Sequence, residues 1–242
     1  MNLLVIIPTY NEKDSLPELV PRVLAYAGTR VLVVDDDSPD GTGRVADDLA
    51  DRHPGQVEVL HRSGPRGLGH AYVEGIRHAL RSDAEIFCQM DADLSHDAQY
   101  LPSMVAATAT HDLVIGSRYL NGISVVNWPL RRLALSTAAN GYIRWVTGLP
   151  VRDCTSGFRC WRRQALERVH LERLHSEGYA FLVEMLHTAW LGGCRLAEVP
   201  IIFVERRQGA SKLSSGILLE SALMPWRLRL RQVAQRRHRV IP

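Results

Sequence analysis

Ile86-Phe87-Cys88-Gln89-Met90-Asp91-Ala92-Asp93-Leu94-Ser95-His96 begins as a buried strand and stops on two carboxylates spaced i, i+2. An apolar run broken this abruptly delivers negative charge at the carboxyl end of a strand, the edge where open α/β sheets bind ligands. Carboxylate oxygens there can hold a hard divalent cation, and the cation can hold a diphosphate. A lone Asp-x-Asp is also what a solvated turn looks like, so its neighbours decide the reading.

Upstream, strand and helix patterns alternate, which predicts a mostly parallel sheet covered on both faces. Leu3 to Ile7 reads as a strand ended by Pro8, and Val31 to Val34 as a second, ending on Asp35-Asp36-Asp37. Val57 to Leu60 is a third strand, the Asp91 strand a fourth, and Asp112 to Ile115 a fifth. Between them, Leu16, Leu19, Val20, Val23 and Leu24 form a helical stripe, with Pro17 and Pro21 predicting a late or kinked start. Thr42 is placed to cap the next helix, and another is expected around Ala71 to Leu80. The first, second and fourth strands thus end on Tyr10-Asn11-Glu12, Asp35-Asp36-Asp37 and Asp91-Ala92-Asp93. In a parallel sheet these ends converge on one edge, which unrelated solvated turns have no reason to do. The turn after the first strand holds no glycine-rich dinucleotide fingerprint, and Gly64 to Gly69 lacks a Gly-Lys-Ser/Thr ending. Any nucleotide is therefore expected on carboxylates and metal.

Downstream, Trp128 to Thr147 reads as a helix with Leu130, Leu133, Ala134, Ala138 and Trp145 toward the core. Arg132 and Ser136, four apart, share one of its faces. Asp153 to Arg159 is loop-like, Phe181 to Leu191 is a helix carrying Glu184, and Val199 to Val204 is a strand leading to Arg206 and Lys212.

At 242 residues and 46% hydrophobic, the chain can bury the core of one domain. Lys13 and Lys212 are the only lysines, and six arginines fall between Arg227 and Arg239, so much of the net charge of +3 is C-terminal. That stretch is expected to meet anionic lipid; without aromatic interleaving beyond Trp226 it does not read as a nucleic-acid surface. Cys88, Cys154, Cys160 and Cys194 form no Cys-x-x-Cys pair and no zinc spacing, which fits buried thiols in a reducing, cytoplasmic setting. Leu3 to Ile7 is too short for a signal core, and no window supplies the ~18 apolar residues a membrane span needs.

These motifs together resemble the polyprenol-phosphate (dolichol-phosphate) mannose synthases, inverting, metal-dependent transferases of the GT-A fold. The match runs through Ile7 to Glu12, Val34 to Gly41, Gly67 to Tyr72, Met90 to His96, Gly116 to Tyr119, Trp128 to Arg132, Thr155 to Arg159, Val204 to Arg206 and Gly209 to Lys212. It departs at Pro65-Arg66, where the family often carries a lysine, at Ala98 in place of a proline, and at Ser95, where archaeal members carry glutamine. The resemblance implies a GT-A domain over 1–215, with a nucleotide half to about 116 and an acceptor half over 117–215, then a basic amphipathic helix or tail over 216–242. It implies transfer of mannose from GDP-mannose to the phosphate of a polyprenol, at the cytoplasmic face of a membrane, with a membrane-protein partner as a further expectation. Pro8, Tyr10, Glu12, Val34 and Asp36 would surround the nucleotide; Asp91, Ala92 and Asp93 the sugar diphosphate. Asp91, Asp93 and Ser95 would hold Mg2+ or Mn2+. Arg118, Arg132, Ser136, Arg206 and Lys212 would meet the acceptor phosphate, and Asp153 and Glu184 the sugar. Asp91, Asp93, Arg118 and Arg206 would carry catalysis; because the acceptor phosphate is already ionised, no strong base is assigned. Polyprenol-phosphate glucosyl transfer from UDP-glucose, or a non-catalytic nucleotide-sugar-binding subunit at a membrane, are the alternatives.

Overall fold

The computed structural model describes residues 2–174, 176, 178–205 and 223–233. Seven strands form one sheet in the order β3-β2-β1-β4-β7-β5-β8: β1 (Leu3–Thr9), β2 (Thr29–Asp35), β3 (Val57–His61), β4 (Ile86–Gln89), β5 (Leu113–Ser117), β7 (Arg159–Arg162) and β8 (Leu196–Pro200). Only β7 runs against its neighbours. A small parallel pair, β6 (Val125–Val126) and β9 (Phe203–Val204), lies apart from it. The expected mostly parallel sheet is present, and the continuous Leu/Val/Ile runs are its cause: strands covered on both faces have no polar side.

Alternation along these strands fills two cores. Leu3, Val5, Ile7, Val31, Val33 and Cys88 face α1 (Leu16–Leu24), α2 (Thr42–Arg52) and α4 (Leu101–Ala107). Leu4, Ile6, Leu32, Val34 and Phe87 face α3 (Leu68–Ala79), α6 (Arg163–Glu167) and α7 (Gly178–Leu191). Each buried Leu, Ile or Val contributes ~1.5–3 kcal/mol. Gly75 lets α3 lie close on the sheet: a Cβ there would stand 2.8 Å from Val34 Cγ2. The four cysteines are buried and free, with Cys88 opposite Cys160 in the register.

Four local expectations are corrected. Helix α1 starts at Leu16, because Pro17 sits in the first turn, where its missing N–H has no partner to lose. Thr42 is the first residue of α2 and not its cap; its hydroxyl instead joins Glu12 N–H to the Asp40 carboxylate. Val199 to Val204 is not one strand: β8 ends at Pro200, and β9 belongs to the other sheet. Helix α5 (Leu130–Thr147) buries Asn140, Ile143, Val146 and Thr147, whereas Leu130 and Trp145 are 82% and 75% exposed and Ala134 and Ala138 are exposed too. An apolar stripe was expected to find the core; most of α5 has no sheet beneath it.

A terminal helix spans 223–233 and buries Met224 and Leu228 in the same core as α7. Its Arg231 reaches Glu184 on α7 at 2.6 Å. Among the described residues, no helix is long and apolar enough to cross a membrane.

Candidate active site at the carboxyl edge of the sheet

The loops after β1, β2 and β3 meet as the register requires, with Thr9 beside Asp35 and Asp35 beside His61. The three aspartates divide the work. Asp35 is buried and ties its own loop, accepting from the Thr9 and Ser38 hydroxyls. Asp36 is buried as well; one oxygen pairs with Arg62 and the other accepts Gly67 N–H at 2.8 Å. Gly67, at φ 147°, adopts a backbone that other residues rarely take, and so Asp36 can grip the start of α3. Asp37 pairs with Arg66 at 2.7 Å, and Arg66 also lies over the Tyr10 ring at 5.2 Å. Pro8 and Tyr10 flank this cleft half-buried, while Glu12 is fixed by Ser15 and Thr42. Val34 presents only its backbone, since its side chain lies in the core under α3.

Asp91-Ala92-Asp93 follows β4 after the single residue Met90. Ala92 is buried, and the carboxylates on either side are half-buried. His96 Nδ1 accepts Asp91 N–H at 3.2 Å, and its ring stacks on Phe158. Gly157 packs against the Asp91 carboxylate so closely that a Cβ there would meet Oδ1 at 3.2 Å. Burial, and then the charge of Asp91, push the Tyr72 hydroxyl pKa well up. Ser95 is buried, and its hydroxyl and N–H both donate to Asp93 Oδ1, at 2.5 and 3.1 Å. Leu94 takes a left-handed backbone at φ 62°, which costs a non-glycine residue ~1–2 kcal/mol. Asn11 and Asp37 do the same after β1 and β2. Backbone strain is thus gathered on the edge that carries the carboxylates.

The second charged bank is an arginine cluster. Arg118, just past β5, is gripped by the wholly buried Asp153 through Nε at 2.6 Å and Nη2 at 2.7 Å, with Thr155 at 2.8 Å. Tyr119, Trp128 and Phe203 stand around the guanidinium at 5.4–5.6 Å. Arg132, in the first turn of α5, stacks on Trp128 at 4.2 Å and pairs with Glu205. Ser136 accepts the Tyr119 hydroxyl at 2.8 Å. The two banks meet through one loop: Asp153 and Thr155 hold Arg118, while Gly157 lies on Asp91. Arg206 and Lys212 lie outside the described residues.

Several partners carried no signal in the sequence. Arg62 is a buried bridge between Asp36 and Glu74. Arg159 is fully buried, donating to the Ser156, Leu182 and Cys154 carbonyls, and burial pushes its pKa down to about 10. Asp153 and Glu184, expected near the sugar, are both buried in ion pairs.

As donors, Asp91 and Asp93 suit a hard divalent ion. Among the described residues no third His, Cys, Asp or Glu completes a cluster with them.

The fold is shared with glucosyl-3-phosphoglycerate synthase from Mycobacterium tuberculosis, solved with Mn2+, uridine-diphosphate and phosphoglyceric acid. The TM-score is 0.66 at 16% identity, covering 97% of this chain and 78% of that one. Glycosyl transferase family 2 matches residues 4–170. Polyprenol monophosphomannose synthase of Mycolicibacterium smegmatis is 46% identical over 220 residues, 90% of this chain and 83% of that protein. Undecaprenyl-phosphate mannosyltransferase of Micrococcus luteus is 46% identical over 224 residues, 92% of each. On this evidence the chain belongs to glycosyl transferase family 2, among the polyprenol-phosphate mannose synthases.

Proposed function

We propose that this enzyme moves mannose from GDP-mannose onto the phosphate of a membrane polyprenol, releasing GDP. The observation that carries the reading is the 46% identity, over nearly the whole chain, to two enzymes named for this kind of transfer. The charge layout supports it, since carboxylates and arginines meet across the 153–158 loop. Tyr10, Glu12 and Asp36 border the nucleoside, with Asp36 holding the Gly67 turn in place beside it. Asp91 and Asp93 hold Mg2+ or Mn2+, and Ser95 turns the Asp93 carboxylate. When bound, such an ion neutralises the charge that develops on the departing diphosphate. Arg118 and Arg132, with Arg206 and Lys212, orient the acceptor phosphate, and Ser136 and Tyr119 line its approach. That phosphate arrives with a charge of about −1.5 to −2, so the protein's work is to bring anions together without deprotonating a hydroxyl.

The lipid is reached from a membrane surface on the cytoplasmic side. Leu130, Leu135, Trp145, Trp226 and Leu230 expose an apolar face on α5 and the terminal helix, joined by an edge-on contact between Trp145 and Trp226. Arg131, Arg144, Arg227 and Arg229 are exposed on the same two helices. Each basic residue near an anionic bilayer adds ~1 kcal/mol.

A radiolabelled transfer assay with purified polyprenol phosphate tests the reading. GDP-mannose is expected to support transfer and UDP-glucose is not. Chelation of divalent metal, or Asp93→Ala, is expected to abolish it. Turnover indifferent to both removes the metal-centred mechanism, and a preference for UDP-glucose removes the donor assignment.

A further inference from the structure

The two described arginines proposed for the acceptor phosphate each face a carboxylate already. Arg118 has Asp153 and Arg132 has Glu205, so the four groups sum to zero formal charge. Arg206 and Lys212 aside, this neutral set attracts a phosphate dianion poorly, and its pull rises when one of the carboxylates yields. Asp153 cannot. It has no exposed surface, accepts three donors from Arg118, and its own N–H is held by Glu198 at 2.9 Å.

Glu205 differs on every count. A quarter of its side chain is exposed, and among the described residues its carboxylate has one partner, Arg132. Among the described residues its backbone is attached by an N–H bond to Val126 O at 3.2 Å, beyond the two-residue strand β9. It also lines a cavity of about 150 Å³ beside α1, with Arg22 on the wall, so a displaced carboxylate has space to enter. Both of its oxygens approach Arg132 Nη1, one of them at 2.5 Å, where a phosphate oxygen would bind a guanidinium.

We propose that Glu205 is a resident stand-in for the acceptor phosphate, which holds Arg132 on Trp128 and gives way when the lipid phosphate arrives. This rests on the proposed acceptor role of Arg132. Displacement turns the cluster from neutral to a formal +1 at the moment of binding. It also sets a threshold: a dianionic monoester reaching both arginines displaces Glu205, while weakly charged anions leave it in place.

The test compares wild type with Glu205→Gln, which keeps the length and loses the charge. Calorimetric titration uses citronellyl phosphate, a water-soluble isoprenyl phosphate, and citronellol as the phosphate-free control. Glu205→Gln is expected to bind citronellyl phosphate roughly fivefold tighter, the size expected for a partly exposed ion pair that no longer has to be broken. Inorganic phosphate is expected to inhibit transfer by Glu205→Gln at lower concentration than it inhibits wild type. Unchanged or weaker binding of citronellyl phosphate overturns the proposal, because Glu205 would then support Arg132 and not occupy its ligand position. If wild type and Arg132→Ala bind citronellyl phosphate equally well, the acceptor role of Arg132 itself fails, and the stand-in fails with it.

Discussion

Replacing Asp153 with asparagine removes one charge and almost no volume. The carboxylate is fully buried and accepts Arg118 N–H at 3.0 Å, Nε at 2.6 Å and Nη2 at 2.7 Å. Asparagine has one acceptor oxygen, so its NH2 must face a guanidinium donor while Arg118 stays buried and charged. Removing one partner of a buried pair costs ~3–5 kcal/mol. The surrounding rings of Tyr119, Trp128 and Phe203 remain, and they favour the lower end, ~3 kcal/mol. For a domain of this size each kcal/mol shifts Tm by ~2–4 °C, so a fall of roughly 6–12 °C is expected. Urea denaturation at pH 7 measures the free energy directly. The pH dependence supplies a second check. Burial alone would raise the Asp153 carboxyl, but the charge of Arg118 and its hydrogen bonds hold it below the usual value. A carboxylate lowered in the fold contributes its stability above the unfolded pKa of ~3.9 and loses it as pH falls through the folded value. The gap between wild type and variant is therefore full at pH 7 and closes below about pH 4. A loss under ~1 kcal/mol at pH 7, or a gap that ignores pH, would show that Arg118 does not depend on Asp153.

Two further outcomes are expected. Trp145→Glu should weaken co-sedimentation with anionic vesicles by roughly tenfold or more, since a large apolar side chain contributes ~1.5–3 kcal/mol when buried; undiminished binding would remove α5 from the membrane face. His187, on α7, is buried beside Gln232 of the terminal helix, and burial pushes its pKa down to about 4, with Gln232 and Glu184 opposing and Arg229 and Arg231 assisting. Because the unfolded chain takes up this proton first, stability should fall as pH drops from ~6.5 toward 4. His187→Gln should flatten that slope, and an unaltered slope would place the titration elsewhere.

The first half of the chain was legible because its physics is local. A Val/Ile/Leu run ending on carboxylates states both the strand and where it stops, and parallel pairing then brings three such ends together. Strand β7 was not legible. Arg159-Cys160-Trp161-Arg162 sets two apolar residues between two arginines, without the alternation that marks a half-buried strand, and nothing in it says that Arg159 will be buried on three carbonyls. The stripe on α5 misled for a related reason: periodicity reports that a helix has an apolar side, not what covers it.

Sequence alone was sufficient for the parallel sheet, the carboxylate turn at Asp91 and Asp93, and the resemblance to the mannose synthases, because each depends on residues adjacent in the chain or one helical turn apart. Tertiary structure decided how the charges are shared. Arg118 meets Asp153 across 35 positions, Arg62 meets Asp36 across 26, and Arg132 meets Glu205 across 73. Coulombic partners are chosen by distance in space, and burial then multiplies the choice by lowering the local dielectric. An arginine that reads as an open phosphate ligand can therefore be one that already holds an anion of its own.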